Sequence, residues 1–310
     1  MRVLVLGSDK AVLVPSTASY ERMQLQAALV AQYLVLVPKA GESKPAAAWR
    51  IWRESRSIVC DVVSAQDPFF FGLLAWRIAK RAGAKLHVQV HTDLRAYSGV
   101  RHVLAHIVLR HADAVRVVSS ALQKQVEAWG VRAPVHVLPI YIDIEPFVRL
   151  GRRAHEGKTV LWVGRFEDEK DPLLAIEVLK KINTQGIDAS LVMLGSGSLE
   201  PQLRAAASGF PIEFPGWQDT KAYLEAADVC LSTSKHESWG ASIVEALAAG
   251  VPVVAPDVGV AREAGAVVAA RTELADAVVK VLQSAERGVL KLKLLSREDW
   301  ARAWLASLPR

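Results

Sequence analysis

The chain has 310 residues, of which 51% are hydrophobic and 23% charged, and its formal net charge is +6 at pH 7. This length and composition predict a globular protein large enough to bury two cores. Cys60 and Cys230 both lie in strand-like runs, which indicates buried thiols rather than a disulfide framework. No apolar run approaches the length that spans a bilayer, and the opening MRVLVLG lacks the pattern of a signal peptide, so we expect a cytoplasmic protein.

The first half alternates strand and helix patterns. It begins with the strand MRVLVLG and a turn at 7–10, where Ser8 follows a single glycine. The remaining pattern predicts strands at 33–37, 58–63, 85–91, 114–118 and 135–138, and helices at 19–31, 46–55, 69–82, 99–111 and 120–129. Such alternation predicts a parallel sheet that is covered by helices on both faces.

Two polar segments of the first half lie at the carboxyl ends of predicted strands, where sheets of this type bind ligands. They are SAQDPF at 64–69 and VHTD at 90–93. Asp67, His91 and Asp93 are therefore candidates for substrate contacts. The local alternatives are a hydrogen-bonded histidine at a strand end and aspartates that cap helices.

Three more histidines, His102, His106 and His111, lie close together in sequence. His102 and His106 are one helical turn apart, a spacing that can bind a metal ion. No acidic or cysteine ligand joins them, and the neighbouring residues are basic. We therefore predict no metal site here.

The positive charge is concentrated in the first half. Residues 1–150 carry 19 Lys and Arg against 11 Asp and Glu, a net of +8, and the rest of the chain has a net of −2. This asymmetry predicts an anionic partner such as a membrane surface or a lipid phosphate, whereas nucleic acid is not expected because no binding motif accompanies the charge. The helix at 46–55 fits a membrane interface through Trp49, Trp52 and its arginines. Equally, its tryptophans could enter the core.

The periodicity is lost between 143 and 158, where the sequence turns polar. This predicts one domain at 1–148 and another at 149–292. The segment at about 293–310 is predicted to close the chain as a helix. Trp300 and Trp304 lie on one face of that helix and could dock on another surface.

A strand, a glycine turn and two cations open the second half. The sequence TVLWVGRFEDEK at 159–170 places Arg165 and Lys170 between Gly164 and the next helix. The planar fork of arginine and the compact charge of lysine together suit a diphosphate. The alternative is a pair of surface cations beside neighbouring carboxylates. A later turn, LVMLGSGSLE, carries Gly195 and Gly197, but a lone G-x-G is weak evidence for nucleotide binding.

The segment 233–259 carries Glu237 and Glu245, eight positions apart. A helix is predicted at 242–249, so Glu237 lies in the loop before it and Glu245 lies on it. The free N–H groups at the helix start attract anions. Two acceptor side chains beside such a helix start suit a ligand with hydroxyls and phosphates, such as a nucleotide sugar. The alternative is a solvated helix face.

Together, the blocks from 158 to 260 resemble the donor site of glycosyltransferase family 4, a family of retaining enzymes with the GT-B fold. The resemblance implies an α/β protein with two Rossmann-like domains whose parallel sheets face each other across a cleft. It also implies that the C-terminal helix crosses back to the first domain. The first domain would take the acceptor, and the second would bind the nucleotide-sugar donor.

The resemblance further implies roles for individual residues. Arg165 and Lys170 would hold the donor diphosphate, Glu237 the sugar hydroxyls and Glu245 the ribose, and His91 would face the donor sugar. The remaining substrate contacts are expected from loops and from the helix start, at Ser8, Asp67, Asp93, Gly164, Gly195, Gly197, Ser238, Trp239, Gly240 and Ser242.

The chain departs from the family pattern at three places. Asp171 and Ser238 stand where the family usually has glycine, and the first loop has only Gly7 where the family often has several glycines. A side chain at Ser238 could narrow the pocket or change the choice of sugar.

The implied function is that of a metal-independent transferase of polysaccharide or cell-envelope biosynthesis that needs no cofactor. It would move a sugar from a nucleoside diphosphate sugar to a hydroxyl of a lipid or glycan. The protein would be cytoplasmic, with a possible peripheral contact to an anionic membrane on its inner face. Two alternatives remain, a nucleotide-sugar epimerase on the same fold and a non-catalytic donor-binding subunit.

Overall fold

A computed structural model of the chain describes residues 1–15, 17–284 and 286–310. The chain divides into two compact units: unit 1 comprises residues 1–142 and 294–310, and unit 2 comprises residues 143–293. Each unit contains a six-stranded sheet whose strands pair in parallel. The predicted α/β class with two parallel sheets is therefore confirmed.

Unit 1 has strands and helices in alternation. Its elements are β1 (Arg2–Leu6), α1 (Ala18–Ala27), β2 (Gln32–Leu36), α2 (Lys44–Glu54), β3 (Val62–Ala65), α3 (Phe70–Ala82), β4 (Lys85–Val90), α4 (Gly99–Arg110), β5 (Ala114–Val117), α5 (Ser120–Ala128), β6 (Val135–Val137) and α13 (Arg297–Ala306). Short 3-10 turns lie at Lys10–Leu13 and Leu94–Ala96. The strand order is β2-β1-β3-β4-β5-β6.

The strand β1 shows why these segments form a sheet with two covered faces. Its residues Val3, Leu4, Val5 and Leu6 are all at most 1% exposed, so both faces of the strand are buried. A continuous apolar run of this kind is typical of a central parallel strand. The strand order reverses between β1 and β3, and ligands of open α/β sheets bind at such a switch point.

The closing helix α13 belongs to unit 1. Trp300 donates its indole N–H to the carbonyl oxygen of Pro139 at 2.8 Å, and Trp304 is fully buried. Both tryptophans pack in one core cluster with Val3 and Val62. The two aromatic side chains on one face of the helix therefore attach the C-terminal segment to the first sheet.

Unit 2 follows the same plan. Its elements are α6 (Glu145–Val148), β7 (Lys158–Val163), α7 (Pro172–Thr184), β8 (Ala189–Leu194), α8 (Glu200–Ala206), β9 (Ile212–Gly216), α9 (Lys221–Ala226), β10 (Val229–Leu231), α10 (Ala241–Ala248), β11 (Val253–Ala255), α11 (Ala261–Ala264), β12 (Val267–Val268) and α12 (Leu274–Ser284). Short 3-10 turns lie at Asp168–Lys170 and Arg271–Glu273.

The strand order of unit 2 is β12-β11-β10-β7-β8-β9, which is the order of the classic dinucleotide-binding sheet. Its switch point lies between β7 and β10, so the segments that follow these two strands are placed side by side. Unit 2 begins at Asp143 because the short helix α6 packs within it, with Lys221 Nζ 5.7 Å from the centre of the Phe147 ring.

Both cysteines are free and buried, as predicted. Within the ranges that the structure describes, no helix combines the length and the apolar character needed to cross a membrane.

Candidate functional site

The loop after β7 carries the predicted diphosphate-binding cations. Arg165 is exposed, and its guanidinium forms an ion pair with Glu169 at 2.6 Å. Gly195 and Gly197 lie directly against this loop: a Cβ on Gly195 would be 1.8 Å from the carbonyl oxygen of Gly164, and a Cβ on Gly197 would be 2.5 Å from that of Phe166. The two glycines therefore let one backbone approach another and fix the position of the Arg165 loop.

The structure gives a reason for the missing glycine at Asp171. This residue has φ +45°, and it is the one non-glycine residue with a positive φ in the described ranges. Aspartate tolerates this left-handed conformation better than most side chains. Its carboxylate forms an ion pair with Arg271, and its carbonyl oxygen accepts a hydrogen bond from the Thr233 hydroxyl at 2.8 Å. These contacts hold in place a backbone shape that glycine would adopt without strain.

The loop after β10 meets the loop after β7. Lys170 Nζ forms an ion pair with the carboxylate of Glu237, 67 positions away, and both side chains are at most 19% exposed. Ser234 donates its hydroxyl to the same carboxylate at 2.9 Å. The backbone N–H of Lys235 donates to the carbonyl oxygen of Glu169 at 2.9 Å. The structure thus brings together the two predicted blocks.

Helix α10 begins beside this ion pair without a side-chain cap. Its N-cap is Gly240, with φ +99°, and no side chain accepts from its first N–H groups. These groups and the positive end of the helix dipole form a place for an anion. Ser238 and Ser242 are half-buried near this start, whereas the Trp239 side chain is 2% exposed and belongs to the core.

Glu245 lies on α10, half-buried. In the described ranges we find no hydrogen bond to its carboxyl group. Burial raises its pKa from 4.5 to about 7, with Lys221 opposing the shift and Asp219 adding to it. A carboxyl group that is poorly solvated and has no donor is well suited to accept hydroxyl groups of a ligand.

A cavity of about 530 Å³ lies in unit 1, beside the switch point of the first sheet. It brings together three of the predicted residues, Ser8 after β1, Asp67 after β3 and His91 after β4. Burial lowers the pKa of His91 to about 3, with the nearby cation Arg116 contributing, so the imidazole is neutral.

Asp93 does not line this cavity. It accepts the backbone N–H of Arg95 at 2.9 Å and pairs with the Arg95 side chain at 2.7 Å, so it caps the 3-10 turn Leu94–Ala96. Asp67 has a similar local bond, because it accepts the backbone N–H of Phe69 at 2.8 Å. Capping contacts of the kind given by the alternative interpretation are therefore present at both Asp93 and Asp67.

Two arginines that were not expected from the sequence also line the cavity, Arg22 on α1 and Arg116 on β5. Arg116 is 3% exposed. The only signal in the sequence was its place within the apolar strand run DAVRVVSS, since a charged residue at the centre of a buried strand requires a specific environment.

The three histidines of the 102–111 segment pack on tryptophans. His102 and His106 lie 4.6 and 5.8 Å from the ring of Trp129, and His111 lies 4.3 Å from that of Trp76. Within residues 1–15, 17–284 and 286–310, no group of three or more His, Cys, Asp and Glu side chains is placed to hold a metal ion.

Helix α2 agrees only in part with each of its two interpretations, a helix at a membrane interface and a helix whose tryptophans enter the core. Trp49 is 62% exposed, with the Arg53 guanidinium 4.7 Å from its ring. Arg50 is instead largely buried, in ion pairs with Glu42 and Glu54. The core face of the helix is formed by small and aliphatic side chains rather than by its tryptophans. The outer face thus presents one aromatic ring with a neighbouring cation.

Two family models match the chain. One, described as Glycosyltransferase Family 4, matches residues 7–146, and the other, described as Glycosyl transferases group 1, matches residues 157–284. A phosphatidyl-myo-inositol mannosyltransferase of Mycobacterium leprae is 30% identical over 264 residues, which cover 78% of this chain and 70% of that protein.

Another relative, a GDP-mannose-dependent alpha-(1-6)-phosphatidylinositol dimannoside mannosyltransferase of Mycobacterium tuberculosis, is 33% identical over 154 residues, or 46% of this chain. The aligned part spans 40% of the length of that relative.

Solved structures resemble the whole chain. The Anabaena HepE protein in complex with UDP and glucose has a TM-score of 0.73 at 16% identity, covering 97% of this chain and 94% of that one. The lipopolysaccharide outer core galactosyltransferase WaaB has a TM-score of 0.70 at 15% identity, and the match covers 99% of this chain and 95% of that one. At such identities the likeness concerns the fold, and it confirms the GT-B class. With both halves matched by family models, the chain belongs to glycosyltransferase family 4.

Proposed function

We propose that this protein is a retaining glycosyltransferase whose unit 2 binds a nucleoside diphosphate sugar and whose unit 1 takes a lipid or glycan acceptor. The observation that carries the proposal is the ion pair between Lys170 and Glu237 at the switch point of the second sheet. It places a cation, a carboxylate and the uncapped start of α10 at the edge where sheets of this order bind nucleotides.

The donor diphosphate would lie against Arg165, Lys170 and the N–H groups after Gly240. As the bond from the sugar to the diphosphate breaks, negative charge develops on the leaving phosphate oxygen. Fixed cations and a helix start stabilise that charge without reorganising during the reaction. Arg165 is well suited to this task because it is exposed and its ion pair with Glu169 can exchange for a phosphate.

The two glutamates have different environments, which supports different roles. Glu245 has no hydrogen-bond donor among the described residues, and we assign it to the ribose hydroxyls. Glu237 is already held by Lys170 and Ser234, and we assign it to the sugar. In that arrangement, Lys170 would link the carboxylate at the sugar to the diphosphate.

No protein nucleophile is required in this proposal. The leaving phosphate oxygen would accept the proton of the acceptor hydroxyl on the face from which it departs, so that the anomeric configuration is retained. We assign His91 to the donor sugar, where its neutral imidazole could donate one hydrogen bond and accept another.

The acceptor is proposed to be a cell-envelope lipid or glycan. Both mycobacterial relatives are named for phosphatidylinositol-type acceptors, and the second also for GDP-mannose as donor. A peripheral contact with an anionic membrane is proposed through Trp49 and Arg53 on the outer face of α2, which joins an apolar ring to a positive charge. An epimerase and a non-catalytic subunit are less well supported, because the relatives are named as transferases.

The test begins with a screen of UDP, GDP and ADP sugars by thermal shift, since a tight donor raises stability by mass action. The best donor is then incubated with lipid extracts, and the products are separated and their anomeric configuration is read by NMR. A transferred sugar with retained configuration supports the proposal. An epimerised donor, an inverted product or the absence of any donor-dependent stabilisation would contradict it.

Calorimetry separates the two glutamates. Glu245→Ala should lower the affinity for the free nucleoside diphosphate about tenfold or more, since a hydrogen bond to a charged group contributes about 1.5 to 3 kcal/mol. Glu237→Ala should leave that affinity nearly unchanged and lower turnover. The opposite pattern would reverse the placement of the donor.

A further inference from the structure

Arg116 is a buried cation without a counter-ion. Its side chain donates to three neutral oxygens: the carbonyl of Leu138 at 3.1 Å, the side-chain oxygen of Gln89 at 2.6 Å and the carbonyl of Pro139 at 2.9 Å. No carboxylate of the described residues lies within ion-pair distance of it. A guanidinium has five N–H donors, so two remain for another partner. Burying such a charge is costly unless an anion compensates for it.

A chain of buried polar side chains holds Arg116 in place. Gln89 accepts from Arg116 and donates to the hydroxyl of Ser64 at 3.1 Å, and Ser64 lies 2.9 Å from Nδ1 of His87. The indole ring of Trp300 lies 5.3 Å from the guanidinium carbon. These residues come from β3, β4 and α13, so the orientation of the guanidinium is fixed by the core of unit 1.

A second arginine lines the same cavity. Arg22 donates to the hydroxyl of Ser19 at 3.1 Å, and burial lowers its pKa. The pKa of Arg116 falls to about 9, through burial first and then through the charge of Arg22. The two cations therefore destabilise each other across the cavity, and an anion between them would remove that repulsion.

Asp9 and Glu21 raise the pKa of Arg22 and so offset part of its charge, but no described carboxylate lies within ion-pair distance of Arg116. Asp9 accepts the hydroxyl of Ser19 at 2.7 Å and caps the 3-10 turn Lys10–Leu13. Asp67 accepts the backbone N–H of Phe69, and burial raises its pKa. The cavity is also lined by the further cations Lys44 and Arg101, so basic side chains outnumber acidic ones. Its volume of about 530 Å³ admits a phosphate together with a sugar-sized group.

We propose that Arg116 and Arg22 form a subsite for a phosphate group, and that the acceptor of this transferase carries that phosphate close to the hydroxyl that receives the sugar. The planar forks of two arginines match the oxygens of a phosphate monoester or diester. The existence of the subsite follows from the cavity alone, whereas its assignment to the acceptor rests on the proposed function.

The indole N–H of Trp300 provides a site-specific probe, because it lies in unit 1 beside Arg116 and donates to Pro139. In protein labelled with 15N-tryptophan, this signal is assigned with Trp300→Phe. It is then followed during titration with sn-glycerol 1-phosphate and with dihexanoyl-phosphatidylglycerol, at constant ionic strength. Glycerol and dihexanoylglycerol are the matched probes without a phosphate.

We expect saturable shifts with the anionic probes and not with their matched controls. Arg22→Gln should weaken the binding about tenfold or more, because a charge-assisted hydrogen bond is lost. The control Arg132→Gln removes the same charge from an exposed loop before β6, at the opposite edge of the sheet, and should bind like wild type. Arg116→Lys keeps the charge and loses the fork, so it should also weaken binding.

If glycerol phosphate binds with the higher affinity, the phosphate of the ligand comes from a soluble phosphate monoester. If phosphatidylglycerol binds with the higher affinity, it comes from a lipid headgroup. Equal affinities of wild type and Arg22→Gln, or no saturable shift with either anionic probe, would overturn the subsite. No donor is present in these titrations. Failure of the transfer assay with intact phosphate binding would therefore count against the proposed function alone.

Discussion

The half-buried carboxyl group of Glu245 leads to a prediction about stability as well as binding. Its pKa is raised from 4.5 to about 7, chiefly by burial, and no described residue donates a hydrogen bond to it. The folded protein therefore binds this proton more tightly than the unfolded chain does. Folding is penalised as the pH rises from about 4.5 to about 7, and the penalty is complete above that range.

The size of the penalty follows from the two pKa values. One pKa unit corresponds to about 1.4 kcal/mol, so the shift to about 7 amounts to about 3 kcal/mol at pH 8 and about 1 kcal/mol at pH 5. Glu245→Gln removes the titration while keeping the shape of the side chain. We expect the variant to exceed wild type in unfolding free energy by about these amounts at the two pH values.

The assay is urea unfolding of wild type and Glu245→Gln at pH 5 and pH 8, followed by tryptophan fluorescence. The control is Glu263→Gln, which changes an exposed carboxylate on α11 of the same unit. We expect that control to differ little from wild type at either pH, because surface substitutions rarely exceed about 0.5 kcal/mol. A stability difference for Glu245→Gln that is equal at both pH values would refute the reasoning.

The same substitution should act in the opposite direction on the ligand. If ribose hydroxyls donate to the ionised carboxylate, nucleoside diphosphate affinity in wild type should increase as the pH rises through about 7. Glu245→Gln should bind more weakly and without this pH dependence. A stabilising substitution that removes binding is the expected trade-off at a functional site. Unchanged affinity in the variant would separate Glu245 from the nucleotide.

Four further predictions concern the loops, the counter-charge and the surface. Arg165→Ala should lower turnover at least tenfold and change stability by less than about 0.5 kcal/mol, since its side chain is 62% exposed; near-normal turnover would contradict its role. Gly195→Ala should lower the free energy of unfolding, measured with urea, by about 2 kcal/mol or more, because its Cβ would meet the Gly164 carbonyl. The control Gly186→Ala has open space around its Cβ and should lower it by about 1 kcal/mol. Activity should persist in EDTA, because cations and a helix start face the diphosphate; a loss restored by magnesium would refute this. Trp49→Ser with Arg53→Ser should weaken binding to phosphatidylglycerol liposomes, measured by co-sedimentation at low salt, whereas equal binding to neutral liposomes would argue against the contact.

Local patterns were sufficient to predict most elements. The helix predicted at 242–249 is found at Ala241–Ala248, and the strand predicted at 85–91 is found at Lys85–Val90. Hydrophobic periodicity and glycine or proline boundaries act over a few residues, so they can be recognised without the fold. The same is true of the motif residues, whose spacing in the chain carried the resemblance to the family.

The structural reasons behind two motif positions became visible only in three dimensions. The sequence showed that Asp171 replaces a usual glycine, but the positive φ and the ion pair with Arg271 come from the packed loop. Similarly, Gly195 and Gly197 resembled part of a phosphate-binding fingerprint. Their positions against Gly164 and Phe166 show that they also allow close packing of two loops.

The sequence by itself determined that the chain alternates strands and helices and that Lys170, Glu237 and Glu245 carry the family motif. The tertiary structure decided which of these groups touch. Strand order places β7 beside β10, and so joins Lys170 to Glu237 across 67 positions. It likewise places Arg116 in a cavity with Arg22. Such pairings depend on the long-range packing of strands, for which a local pattern of residues contains no information.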